Sequence, residues 1–300
     1  MGTLRAMERD LASAWSGGRR VERVAYLVGA VLFAAGVVHF GVFLVDGGPW
    51  EGPVSWRKPV TFGVSFGVTV ATVAWVVSRV RMGERVRVVA LGLLVVASVV
   101  EVGLISVQAW RGVPSHFNFE SGVDSTISMA LAAGGAMIVV SAVVLLVAAF
   151  RRGAVEAAGM RVAVRAGLVL FFCALAVGAA MIARGSIAVR GGDPQLAYTT
   201  AGGLKPAHAM AMHAVLVLPV LAWVLGFARW PEIARLRVVQ LALVGYAVPT
   251  VVVGVESAVG IPPSAAPVLA DVVAVLGFAL LALAGVLAVW GVARFPRRDI

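Results

Sequence analysis

Leu204-Lys205-Pro206-Ala207-His208-Ala209-Met210-Ala211-Met212-His213 opens an apolar segment that runs on to about Phe227. About 20 apolar residues are the length of α-helix that crosses roughly 30 Å of hydrocarbon. Proline suits a helix start, where its missing N–H is no loss. Yet one lysine, two histidines and two methionines enter this helix within about three turns. An ionisable side chain in a span costs at least about 2.5–3.5 kcal/mol and faces the interior of a bundle. The stretch therefore predicts both a membrane helix and a polar site that other helices complete.

Seven further runs have the same character: Val24–Val45, Val60–Ser78, Val86–Gln108, Ser125–Phe150, Val162–Ala183, Val238–Val255 and Val268–Val292, with Pro206–Ala228 sixth in order. Their lengths exclude barrel strands, which alternate in polarity over about ten residues. The fold class predicted is all-α, a polytopic transmembrane bundle of about eight spans. Composition agrees. The 300 residues are 61% hydrophobic and only 13% charged, with mean hydropathy +0.97, against about 25% charged in soluble domains. The net charge of +10 does not point to nucleic acid, because the cations sit between apolar runs. The single cysteine, Cys173, excludes an internal disulfide and a cysteine metal cluster.

Charge sets the expected orientation. Nineteen of the 25 Lys and Arg fall in the N-terminal segment, the even-numbered linkers and the C-terminal tail. By the positive-inside rule both termini are cytoplasmic. Residues 1–23 read as a basic cytoplasmic segment rather than a cleavable signal, with Thr3–Trp15 an amphipathic helix on the membrane surface. Residues 24–293 form one transmembrane domain, and 294–300 a cytoplasmic tail. The location expected is a bacterial cytoplasmic membrane, with the lipid bilayer as partner. The outer loops are richer in chemistry, whereas the inner linkers read as plain arginine anchors and the inner half of the bundle as apolar.

Lys58-Pro59 and Lys205-Pro206 open the second and sixth spans 147 residues apart. Asp124 and Asp271 repeat that offset, and Arg152 and Arg298 follow at 146. A tandem repeat of four spans each, with halves 24–152 and 162–298, would leave this pattern and would set a site between the halves.

The intramembrane polar groups gather in the outer half. Ser98, Glu101 and Gln108 share one face of the third span by their spacings of 3 and 7. His39 and His213 lie at similar depth from the outer surface, His208 is shallower, and His116 is in an outer loop. The plainer roles stand beside these: interhelical hydrogen bonding for a lone histidine, packing for Met210 and Met212, close helix approach for Gly63 and Gly67, and an ion pair of Glu101 with Arg111 or Lys58.

Trp56-Arg57-Lys58-Pro59 with Phe62 and Ser65, then Arg111-Gly112 with Ser115-His116-Phe117-Asn118, then His208 and His213 after Lys205-Pro206 resemble the elements of a family of bacterial multi-pass membrane proteins. The resemblance covers most of the chain. It implies a membrane bundle with a shared site and carries no reaction with it.

Three readings fit these residues, and the first is the one preferred, the other two being its alternatives. One is a metal or haem site, a redox centre, with His39, His208 and His213 as ligands and His39–His213 the depth-matched axial pair. His208 and His213 are five apart, about 140° around the helix, while His208 and Met212 share a face and suit copper. The second is a metal-free site for a small anion or lipid headgroup, in an enzyme or receptor. Arg57, Lys58, Arg111 and Lys205 would be its donors, with Gln108 and Asn118 supporting and His116 and Glu101 as acid–base groups. The third is a proton-coupled transporter using Glu101 and Glu256. A Ser115–His116–Asp124 hydrolase is disfavoured, since adjacent Ser and His rarely reach the needed geometry and no Gly-x-Ser-x-Gly elbow is present.

Overall fold

The computed structural model describes residues 2–193, 196–197 and 202–295. Among them stand nine long α-helices, one short 3-10 turn at Pro263–Ala265 and no strand. The helices are α1 (Gly2–Ser16), α2 (Arg20–Asp46), α3 (Arg57–Ser78), α4 (Glu84–Trp110), α5 (Gly122–Phe150), α6 (Ala158–Arg190), α7 (Lys205–Gly226), α8 (Glu232–Val259) and α9 (Val268–Arg294). The last eight are each long and apolar enough to cross a membrane. Seven of them contain an expected run whole, and α7 ends at Gly226, two residues short of the end of the run Pro206–Ala228. The molecule is a polytopic helical bundle. Tail residues 296–300, and with them the Arg152–Arg298 match, lie outside the described residues.

The linkers sort onto two faces. At the N-terminal face, the Arg81 N–H donates to the Ala154 carbonyl at 2.8 Å, Ala158 N–H to Glu232 Oε1 at 2.7 Å and Arg229 N–H to the Phe295 carbonyl at 2.8 Å. These bonds tie three linkers and the end of α9 together. At the opposite face, His39 from α2 lies between Trp56 and Trp110, from the starts and ends of α3 and α4.

The helices pack in the same order in both halves. In the first, α2 lies on α3 and α4 on α5; in the second, α6 lies on α7 and α8 on α9. Glycine permits the closest approach. A Cβ at Gly63 would stand 2.6 Å from Gly36 Cα, and one at Gly67 the same distance from the Gly29 carbonyl oxygen. The two halves meet along α5 and α6 and, at the centre, where α3 crosses α7. There Ser65 Oγ is 3.7 Å from Met212 Sδ, and the Trp75 and Trp223 rings are 6.0 Å apart, edge to face. These pairs are 147 and 148 residues apart, so positions matched by the sequence offset face each other at the centre.

Helix α6, at 33 residues, is about 50 Å long and outruns the apolar core of a bilayer. Its last turns overhang the opposite face. Helix α1 matches the expected amphipathic helix, with Leu4, Leu11 and Trp15 exposed along one stripe. Its other side carries Asp10 into the bundle, where the carboxylate accepts from Trp223 Nε1 at 2.8 Å and pairs with Arg79.

Candidate functional site

The loop between α4 and α5 is built from its buried ends. Gln108, fully buried at the end of α4, donates from Nε2 to Asp124 Oδ1 at 3.0 Å. Arg111 Nη1 donates to the same oxygen at 2.7 Å and also to Gln108 Oε1. Ser121 is the N-cap of α5, its Oγ accepting from Asp124 N–H at 3.1 Å and donating to Asp124 Oδ2 at 2.5 Å. Asn118 accepts from the Glu120 N–H, and its carbonyl takes the Ser128 hydroxyl at 2.9 Å. Phe117 adopts φ +59, a left-handed conformation that costs a bulky residue on the order of 1–3 kcal/mol. Its ring seats against Gly185 of α6; a Cβ there would lie 2.3 Å from the ring. So the overhang of α6 holds Phe117 down and presents His116. Ser115 is buried, with Oγ 3.0 Å from His116 Nδ1.

Beside His116 the first turns of α3 and α7 gather cations. Lys58 donates from Nζ to the Pro53 carbonyl at 2.6 Å. Its charge is felt by His116, and Lys58, Arg57 and Lys205 lie close enough to repel one another. Loss of solvation, then the Lys58 charge, pushes His116 down to about 4, so the ring is neutral near pH 7. Glu51, mostly exposed, approaches Arg57 only at 3.8 Å. Arg57 Nε and Ser55 Oγ are buried donors with no hydrogen-bond partner among the described residues. The cluster thus joins positive charge to unused donors, the composition of an anion site.

The histidines do not converge. His39 donates from Nδ1 to the Ala35 carbonyl at 2.7 Å and accepts the Trp110 indole N–H on Nε2 at 3.2 Å, so both ring nitrogens are engaged. His208 turns to α6, its Nδ1 2.7 Å from the Ala174 carbonyl. Met212 turns to α3 and Ser65, so the expected His208–Met212 face divides between two neighbours. His213 bonds the Ala209 carbonyl and is exposed on the bundle surface, which separates it from His39 despite their matched depth. Among the described residues, no three His, Cys, Asp or Glu side chains are grouped as a metal centre would need.

Other expected members divide likewise. Arg111 is taken up by Asp124, not by Glu101. Glu101 is 5% exposed, faces Gly134 of α5, and has no hydrogen bond or ion pair among the described residues. Ser115 and His116 do make the contact a hydrolase needs, but Asp124 is committed to Gln108, Arg111 and Ser121 and orients neither.

Two features escaped sequence reasoning. Glu22 and Arg87, each 1% exposed, form a buried ion pair of 2.6 Å. Arg87 also donates to the Val77 and Val80 carbonyls at 2.7 and 2.9 Å, locking α2, α3 and α4 at the N-terminal face. A lone glutamate inside an arginine-rich entry to a span was the available signal. The second is a cavity at that same face, where plain arginine anchors were expected.

The fold and these sites define a multi-pass α-helical membrane protein with a cationic, histidine-bearing cluster at one face. No family model, curated protein or solved structure matches the chain.

Proposed function

We propose that this membrane protein binds a small anion, a phosphate free or on a lipid headgroup, at the face opposite its N-terminus. The observation that carries the reading is the meeting of Arg57, Lys58 and Lys205, drawn from both halves of the chain, around the unused donors of Arg57 and Ser55. Like charges held together in a medium of low dielectric repel, and an anion offsets that cost. His116, neutral and hydrogen-bonded to Ser115, stands beside the anion as an acid–base group. With arginine-rich linkers cytoplasmic, as in a bacterial plasma membrane, this site opens outward.

The test is calorimetric titration of the detergent-purified protein with inorganic phosphate. Lys58→Gln and Lys205→Gln each weaken binding at least about tenfold, or 1.4 kcal/mol. Phosphate affinity that both variants leave intact overturns the reading.

A proton-coupled carrier is the second reading, favoured by Glu101 within the span and by a cavity at the far end of the α3–α7 seam. Phosphate uptake into proteoliposomes that responds to a pH gradient and is lost in Glu101→Gln supports it. A histidine-centred metal or haem centre is the weaker reading, because its expected ligands point to different neighbours. Metal analysis and an absorption spectrum of the purified protein test it; a Soret band, or stoichiometric copper, would restore it. The resemblance to a bacterial multi-pass family, and descent of the two halves from one four-span unit, belong to the same proposal.

A further inference from the structure

At the N-terminal face the two halves part around a cavity of about 650 Å³. That volume lies within the range of small-molecule sites. Met160, Leu225 and Phe227 supply apolar wall, and Arg79 and Trp223 supply donors. The Arg79 guanidinium lies 5.1 Å above the Trp75 ring, which fixes its plane. Trp223 is held edge-on by Trp75 and Phe227 at 6.0 and 5.3 Å. Both donors converge on one atom, Asp10 Oδ2.

The source of that carboxylate is telling. Arg81 pairs with Glu156, and Arg87 with Glu22, inside the bundle and its linkers. Asp10 arrives from α1, which packs extensively on none of the spans and joins α2 through Gly17-Gly18. The exposed stripe of Leu4, Leu11 and Trp15 suits a helix lying in the membrane interface. A tethered carboxylate on an interfacial helix thus occupies a preformed anion seat beside a cavity whose wall is part apolar, through Met160, Leu225 and Phe227, and part charged, through Glu156, Glu232 and Arg235.

We propose that this cavity is a binding site for a small organic anion with an apolar body. The ligand's carboxylate or phosphate takes the place of Asp10 on Arg79 and Trp223, and α1 moves aside on the Gly17-Gly18 link as it enters. The site is independent of the one at the opposite face. Because the tethered Asp10 competes at high effective concentration, removing its charge tightens binding.

The full-length protein in neutral detergent is titrated with benzoate, as wild type and as Asp10→Asn. The variant binds at least tenfold more tightly, and adding Trp223→Phe to it abolishes most of the gain. In the wild type, saturating benzoate speeds trypsin cleavage after Arg5 and Arg9, which are exposed on α1 but held in its helix, a readout that does not depend on any variant folding. A parallel series uses phosphatidylglycerol in mixed micelles. A gain with lipid alone assigns the seat to a headgroup, and a gain with benzoate alone to a soluble anion. Equal affinities in wild type and Asp10→Asn for both probes, with trypsin cleavage unchanged by either, overturn the proposal. Lys58→Gln, which weakens phosphate binding at the opposite face, leaves the benzoate series unchanged, so failure at one site is distinguishable from failure at the other.

Discussion

The two halves of the bundle differ more in chemistry than in packing. Of the fourteen buried polar or charged side chains among the described residues, the first half and its loops hold twelve; the second half holds Thr250 and Ser257. Yet the helices pair in the same order in both. At the 147-residue offset, Glu101 and Gln108 correspond to Val248 and Val255, and Glu22 and Arg87 to Val169 and Ala234. One packing scheme therefore serves two purposes. The first half encloses a hydrogen-bonded polar network, and the second is an apolar wall that adds Lys205 to the cluster and the overhang of α6 to the loop. In a bilayer a buried polar group is least costly beside others that can satisfy it, which favours their gathering in one half; Glu101 and Ser55 Oγ are members of that half left without a partner among the described residues.

The sharpest way to break this contrast is at the buried pair. Arg87→Leu strands Glu22 and costs on the order of 3–5 kcal/mol, read from unfolding in detergent. Glu22→Leu with Arg87→Leu recovers most of the loss, making the first half resemble the second. A double variant as unstable as the single one would show that the pair is not an isolated unit. Next comes Gln108→Leu, which removes a partner from Asp124 and Arg111 and costs about 1–3 kcal/mol. Hydrogen exchange should rise across residues 111–121 in that variant and stay unchanged in α8.

His116 adds a pH signature to the first half. Its pKa in the folded protein, about 4, is below the usual 6.5. The unfolded chain therefore takes up the proton first as pH falls. The contribution is complete above about 6.5 and is lost progressively from there down to about 4. Wild-type melting temperature should drop over that window more than that of His116→Gln. Parallel curves would remove the neutral, desolvated ring from the account. The smallest effect belongs to the second half. Thr250 Oγ1 donates to the Tyr246 carbonyl at 2.7 Å within its own helix, so Thr250→Val changes stability by no more than about 1 kcal/mol.

Much of the fold was legible because membrane spans are written locally. Eight runs of apolar residues, bounded by arginines and tryptophans, state where helices cross, since no other element satisfies its backbone in lipid. The face of α4 bearing Ser98, Glu101 and Gln108 was legible for the same reason, as helical spacing alone turns those residues inward. Depth along a helix was also readable: residues at one level need only be counted from its end.

Direction around the helix was not. His39 and His213 share a depth and face different surroundings, because rotation about the axis is decided by which neighbour a helix packs on. His208 and Met212, four apart, part company between α6 and α3 for that reason. Arg111 chose Asp124 over Glu101 through the fold of an eleven-residue loop, held by Phe117 on Gly185 of a distant helix. The residues themselves determined the spans and the inventory of polar groups in the membrane. Only tertiary contact, through helix rotation and the meeting of α3 with α7, decided which of those groups became partners and placed Asp10 on Arg79 and Trp223.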